Sequence, residues 1–178
     1  PGPFAARFPQ LQGKRIVLFL SRLDPKKNVE GLLRAFRLIG ESLPDTRLVI
    51  AGDGEPGYAA GLKRLANELG LAERVVWTGY IDGELKVSAY TTAQVFVLPS
   101  FSENFGIAAA EALMAGLPCV LGEGVAIAEE VAAAGAGLAV KPNPENIARG
   151  IITVLSDNAL RAAMGGRSAA FSREKYSV

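Results

Sequence analysis

Six short stretches of the chain are apolar almost without interruption: RIVLFL (15–20), RLVIAG (47–52), RVVWTGY (74–80), AQVFVLPS (93–100), LPCVLG (117–122) and GLAVKP (137–142). Alternating apolar and polar residues mark a strand with one wet face, whereas a continuous run of Val, Leu and Ile marks a strand covered on both. Between these runs the spacing becomes helical, in VEGLLRAFRLIGESL (29–43), YAAGLKRLANELGL (58–71), GELKVSAYTTA (83–93), IAAAEALMAG (107–116) and IAEEVAAAG (127–135). Two more helical stretches, ENIARGIITVLSD (145–157) and ALRAAMGGRSAAF (159–171), follow the last run. Strand and helix in regular alternation predict an α/β domain with a doubly wound, mainly parallel Rossmann-like sheet of about six strands and helices on both faces. The Pro- and Gly-containing opening, residues 1–13, reads as a linker, and the domain as residues 14–170.

Composition narrows the chemistry. The chain has 178 residues, 19 Lys plus Arg against 18 Asp plus Glu, and a net charge of +1. That balance argues against a nucleic-acid partner held by bulk phosphate attraction, but leaves room for a local basic pocket. There is no histidine, so a His base, a Ser-His-Asp triad and a His metal site are excluded within this chain. The single cysteine, Cys119, lies in an apolar run and reads as a core residue in a reducing compartment. No disulfide framework or Cys zinc site is possible with one cysteine. No run approaches the ~18 apolar residues of a membrane span, so a cytoplasmic location is expected.

In open parallel sheets ligands bind beyond the carboxyl ends of the strands, which directs attention to the loops there. After the first strand, SRLDPKKN (21–28) carries Arg22, Lys26 and Lys27 and ends on Asn28, a plausible helix cap. Its cations suit a diphosphate, or else form a solvated basic loop. After the second, GDGEPG (52–57) matches the letters of a dinucleotide fingerprint, but that motif belongs to the first turn of the fold; a tight turn is the better reading. After the fourth, PSFSENFGIAAAEALMAG (99–116) places a helix opening near Asn104, whose start would offer the N–H groups of Asn104, Phe105 and Gly106 to an anion. Glu103 would then turn toward sugar hydroxyls. Glu111, about two turns into the helix, would accept a ribose diol. Equally, Glu103 and Glu111 are a first-turn dipole partner and a solvated helix residue. After the fifth, Gly122 and Gly124 permit a close backbone approach.

Taken in order, these loops resemble the donor-binding, C-terminal domain of the retaining glycosyltransferases of family 4, with the GT-B fold. The similarity runs from about Lys14 to Asp157 and rests on SRLDPKKN, LVIAGDGE, VWTGYI and VLPSFSENFGIAAAEALMAGLPCV, including the family's E-x7-E element, Glu103 to Glu111. Ser21 and Asn28 stand where glycine is common in that family, and the usual glycine pair of the 122–124 loop is interrupted by Glu123.

The resemblance implies one half of a GT-B fold, with a second, N-terminal acceptor-binding domain as its partner; residues 171–178 would begin a crossover helix toward it. It implies that Arg22 and Lys27 contact the donor diphosphate and stabilise the leaving nucleotide, that Glu103 lies by the donor sugar, and that Glu111 holds the ribose. Asn104, Phe105 and Gly106 would supply backbone donors, and Gly79 and Tyr80 would contact the base. Arg22, Lys27 and Glu103 are therefore the expected catalytic residues. The implied reaction moves a hexose from a UDP- or GDP-linked sugar to an acceptor hydroxyl with retention, without a metal or other cofactor, in keeping with the lack of metal-ligand clusters, and with any membrane contact made through the other half. A nucleotide-sugar epimerase-type domain and a non-catalytic nucleotide-binding module are the alternatives.

Overall fold

The computed structural model describes residues 2–176. Strands β1 (Arg15–Leu20), β2 (Thr46–Ala51), β3 (Val75–Gly79), β4 (Val95–Leu98), β5 (Cys119–Gly122) and β6 (Gly137–Val140) form one sheet in the order β3-β2-β1-β4-β5-β6. Every pairing is parallel. This is the doubly wound sheet of six strands that the continuous apolar runs predict.

Helices α1 (Pro3–Arg7), α2 (Val29–Ile39), α3 (Pro56–Glu68), α4 (Gly83–Thr92), α5 (Ile107–Met114), α6 (Ala128–Ala133), α7 (Pro144–Ser156) and α8 (Asn158–Tyr176) cover both faces. Helix α2 packs on α3 and α7, α1 on α4, and α5 on α8. The centre of the sheet is dry: Leu18, Phe19, Ile50 and Phe96 are fully buried, each side chain contributing about 1.5–3 kcal/mol relative to exposure. Cys119 is among these buried residues, and burial pushes its thiol pKa far up, so it remains a protonated core residue. Among the described residues no helix is long and apolar enough to cross a membrane.

The two ends of the chain depart from expectation. Residues 3–11 are not a linker: Pro3 opens α1, Phe4 is fully buried with its N–H bonded to Ser88 Oγ at 3.0 Å, and its ring lies 5.0 Å from that of Phe8. Phe4, Phe8 and Leu11 recur at helical spacing, so the apolar contact with α4 outweighs the Pro and Gly that suggest a flexible opening. At the other end α8 passes through residue 171 without a break. Ser177 and Val178, the end of the expected crossover segment, lie outside the described residues.

Candidate functional site

β1 and β4 are neighbours at the centre of the sheet, with Val17 opposite Val95 and Leu18 opposite Phe96. From β1 the chain proceeds to β2 on one side, and from β4 to β5 on the other. The connections diverge here, which opens a crevice beyond the carboxyl ends of these two strands. Its walls are the loops 21–28 and 99–106.

One asparagine knits these loops together. Asn28 has φ 62°, a left-handed conformation that glycine adopts most easily and asparagine tolerates. Its Oδ1 accepts from Gly31 N–H at 3.2 Å, capping α2, while its Nδ2 donates to the carbonyls of Pro99 at 3.0 Å and Pro142 at 2.9 Å. Asn28 thus supplies what a glycine there would, and ties the ends of β1, β4 and β6 as well. A second tie joins Phe101 N–H to the Lys26 carbonyl at 2.9 Å.

Held in this way, Lys27 reaches across the crevice: its Nζ lies 2.5 Å from Glu103 Oε1, with both side chains mostly buried. Ser100 Oγ donates weakly to the same carboxylate oxygen at 3.4 Å. Glu103 is fixed by its backbone too, donating to Gly124 O at 3.1 Å and accepting from Ala126 N–H at 2.9 Å. Arg22, by contrast, is exposed and makes no ion pair among the described residues.

The glycines in the flanking loops serve packing. A Cβ on Gly52 would stand 1.9 Å from Ser21 O, and one on Gly124 would stand 1.9 Å from Phe101 O. GDGEPG is therefore a loop laid against 21–23, where Leu23 N–H donates to Asp53 O at 2.9 Å. The close approach at residues 122–124 is likewise to the chain's own 99–102 loop.

The second glutamate sits in a separate network. Helix α5 begins at Ile107 and not near Asn104, so Glu111 is one turn into it, rather than two. The helix starts late because the 101–106 segment is held as an extended loop by its ties to residues 26 and 124–126. Asn104, Phe105 and Gly106 accordingly precede the helix, and their N–H groups make no backbone hydrogen bond among the described residues. Glu111 Oε2 pairs with Lys86 Nζ at 2.9 Å, and Oε1 accepts from Tyr90 OH at 3.0 Å. Burial first, then the Glu111 charge, push the Tyr90 pKa far up, so the phenol stays a donor. Among the described residues, Glu103 and Glu111 have no partner in common.

Two cavities border the crevice. A cleft of about 250 Å3 is lined by Ser21, Arg22, Gly52, Asp53, Tyr80 and Lys86 among others. A more apolar one of about 260 Å3 lies against Asn104, Phe105, Gly106 and Ile107. Tyr80 and Phe105 project into solvent, 69% and 84% exposed. Gly79 turns the chain at the end of β3 with φ 71°, and its carbonyl accepts from Gly52 N–H at 2.9 Å.

The profile of the family Glycosyl transferases group 1 matches residues 5–170. The chain belongs to this family. An uncharacterized glycosyltransferase of Methanocaldococcus jannaschii is 36% identical over 165 residues, 92% of this chain and 42% of the relative. A GDP-mannose-dependent alpha-(1-6)-phosphatidylinositol monomannoside mannosyltransferase of Mycolicibacterium smegmatis is 34% identical, over 87% of this chain and 42% of that protein. Among solved structures, Anabaena HepE in complex with UDP and glucose has a TM-score of 0.86 at 22% identity, covering 97% of this chain and 47% of that one. The chain thus spans about two-fifths of the length of these curated relatives, and its sheet is that of a Rossmann-like GT-B domain.

For a group 1 glycosyltransferase domain, the structure collects Arg22, Lys27, Glu103, Asn104, Phe105 and Gly106 on the two loops of one crevice. Tyr80 joins Arg22 at the adjoining cleft. Lys26 joins the loop contacts through its carbonyl, which accepts from Phe101 N–H, and the residue is exposed. Sequence reasoning missed Lys86 and Tyr90. Their spacing of four residues puts them on one face of a helix, but the partner that singles them out, Glu111, lies on another element.

Proposed function

We propose that this chain is the donor-binding half of a retaining glycosyltransferase that moves a hexose from a nucleoside diphosphate sugar to an acceptor hydroxyl. The observation that carries the reading is the pairing of Lys27, on the loop after β1 that also carries Arg22, with Glu103, on the loop after β4 that also carries the 104–106 amides, across the point where the sheet's winding diverges. An anion with sugar attached fits such a mouth. The diphosphate lies between Arg22, Lys27 and the loop N–H groups, the sugar by Glu103, the ribose on Glu111, and the base by Gly79 and Tyr80. The role of the cations is electrostatic. As the glycosidic bond breaks, negative charge gathers on the departing diphosphate, and cations already in place favour that separation. Lys27 is shared in this scheme: it holds Glu103 before the donor arrives and turns part of its charge to the phosphates afterwards.

The facing acceptor domain belongs to the complete protein in this proposal, so the 178-residue chain alone binds donor weakly and turns over poorly, for want of the groups that orient the acceptor. The GDP-mannose-dependent relative and the UDP-bound neighbour keep both bases in view. Calorimetry or ligand-observed NMR with uridine, guanosine and adenosine diphosphates and their sugars tests the reading, with Arg22→Ala and Glu111→Ala run alongside. The expected result is binding of at least one diphosphate, weakened in both variants. Absence of binding at millimolar ligand, or variants that bind like the parent, would sink it.

A further inference from the structure

The carboxylate of Glu111 is gripped from one side only. Lys86 and Tyr90 both lie on α4, one turn apart, and both reach the same side chain on α5. A carboxylate has about four lone-pair positions. Lys86 takes one on Oε2 and Tyr90 one on Oε1, leaving two acceptor positions, one on each oxygen. That is the number a vicinal diol requires. Tyr90 is 3% exposed and its ring lies 6.2 Å from that of Phe96, so the phenol is fixed by the core. Its single proton goes to the charged acceptor in preference to the Ala108 carbonyl at 3.2 Å. Lys86 has a second relation: it lines the cleft that Arg22 and Tyr80 also line. One side chain therefore connects the wall of that cleft to Glu111.

We propose that Lys86 and Tyr90 are positioning residues that hold Glu111 ready for a ribose diol and thereby select ribonucleotide over 2′-deoxyribonucleotide donors. The inference rests on the donor-site reading of Glu111 and adds the residues that orient it. A free glutamate on a helix surface samples several rotamers, and freezing it at the moment of binding lowers affinity. With the clamp in place the freezing has occurred during folding. The ribose 2′-hydroxyl then donates to a fixed, charged acceptor, and a 2′-deoxy ligand leaves that acceptor position empty.

The test is a ratio. Binding of a ribonucleoside diphosphate and its 2′-deoxy counterpart, both UDP and GDP pairs, is measured by calorimetry or ligand-observed NMR on the native chain and on Lys86→Gln, Tyr90→Phe and Lys86→Arg. The native chain is expected to prefer the ribonucleotide by about tenfold, the value of one charge-assisted hydrogen bond. Lys86→Gln and Tyr90→Phe should each reduce that preference to about threefold or less, losing more affinity for the ribonucleotide than for its 2′-deoxy counterpart. Lys86→Arg should retain most of it. If the variants keep the native ratio, or lose affinity equally for both ligands, Lys86 and Tyr90 do not act through Glu111 and the inference fails alone. A native chain that binds no diphosphate, or binds both sugars alike, overturns the reading of Glu111 together with the inference.

Discussion

Cationic side chains stand at both ends of the sheet, and the two ends use them differently. At the amino ends of the strands, Arg74 donates to the carbonyls of Gly40 at 2.6 Å, Leu43 at 3.0 Å and Thr46 at 3.1 Å, and its guanidinium lies 4.6 Å over the ring of Phe36. Arg15, the first residue of β1, donates to the Leu155 carbonyl at the end of α7. At the carboxyl ends, Lys27 and Lys86 are held by the side chains of Glu103 and Glu111, and Arg22 has no ionic partner among the described residues. A carbonyl is part of the chain, so a cation bonded to several of them becomes a structural rivet. A carboxylate on a side chain can share its cation with an arriving anion, since only rotamers must change. Charge at one end is bonded to the chain's own carbonyls; at the other it is held by side-chain carboxylates or, at Arg22, has no ionic partner among the described residues.

This contrast predicts opposite outcomes for similar substitutions. Arg74→Ala should have the largest effect on stability, about 3 kcal/mol, because three carbonyls lose a charged donor together; a urea midpoint measures it, and nucleotide affinity of the folded protein should stay the same. Asn28→Ala should cost about 2 kcal/mol, through the lost helix cap, the left-handed φ and the two bonds to other loops. Asn28→Gly should recover only the backbone part, and an Asn28→Gly protein as stable as the parent would show that the ties from Asn28 to Pro99 and Pro142 do not matter. Arg22→Ala should leave the urea midpoint in place, within about 0.5 kcal/mol, and weaken diphosphate binding by about tenfold. Were Arg22→Ala to unfold the protein as Arg74→Ala does, the division between the two ends would collapse.

The smallest effect concerns an exception. Glu55 lies in a loop at the carboxyl end, yet it is structural: its carboxylate caps α3, accepting from the N–H groups of Gly57 at 2.9 Å and Tyr58 at 2.8 Å. Those bonds hold its pKa below the ordinary carboxylate value of 4.5. A depressed folded value means that the contribution is complete above that ordinary value and fades as pH falls through the depressed one. Thermal midpoints of the parent and Glu55→Ala should therefore differ slightly at neutral pH and converge in strong acid. A gap that persists in acid would assign the cap to something other than the ionised carboxylate.

Much of this was legible in the chain itself. Residues 15–20 are six in a row with no polar break after Arg15, which leaves little but a doubly covered strand, and β1 has those bounds. The α5 start was not legible: SENFG reads as a cap, but the bonds that hold it open come from Lys26 and from 124–126, distant in sequence. The opening helix was missed because Phe4 and Phe8 show their value only against α4. Lys86 and Tyr90 were missed for a related reason. Each looks like an ordinary helix residue until α5 places Glu111 beside it.

Local pattern by itself determined the strands, the order of strand and helix, and the loops that must lie at the carboxyl edge of the sheet, because covered strands and amphipathic helices are signals carried by neighbours within one or two turns. Tertiary structure alone decided which charges meet. The pairing of Lys27 with Glu103 spans 76 residues and that of Tyr90 with Glu111 spans 21. No local spacing encodes such contacts; they exist because the sheet brings β1 beside β4, and α4 beside α5, and burial then leaves each polar group to find the partner within reach.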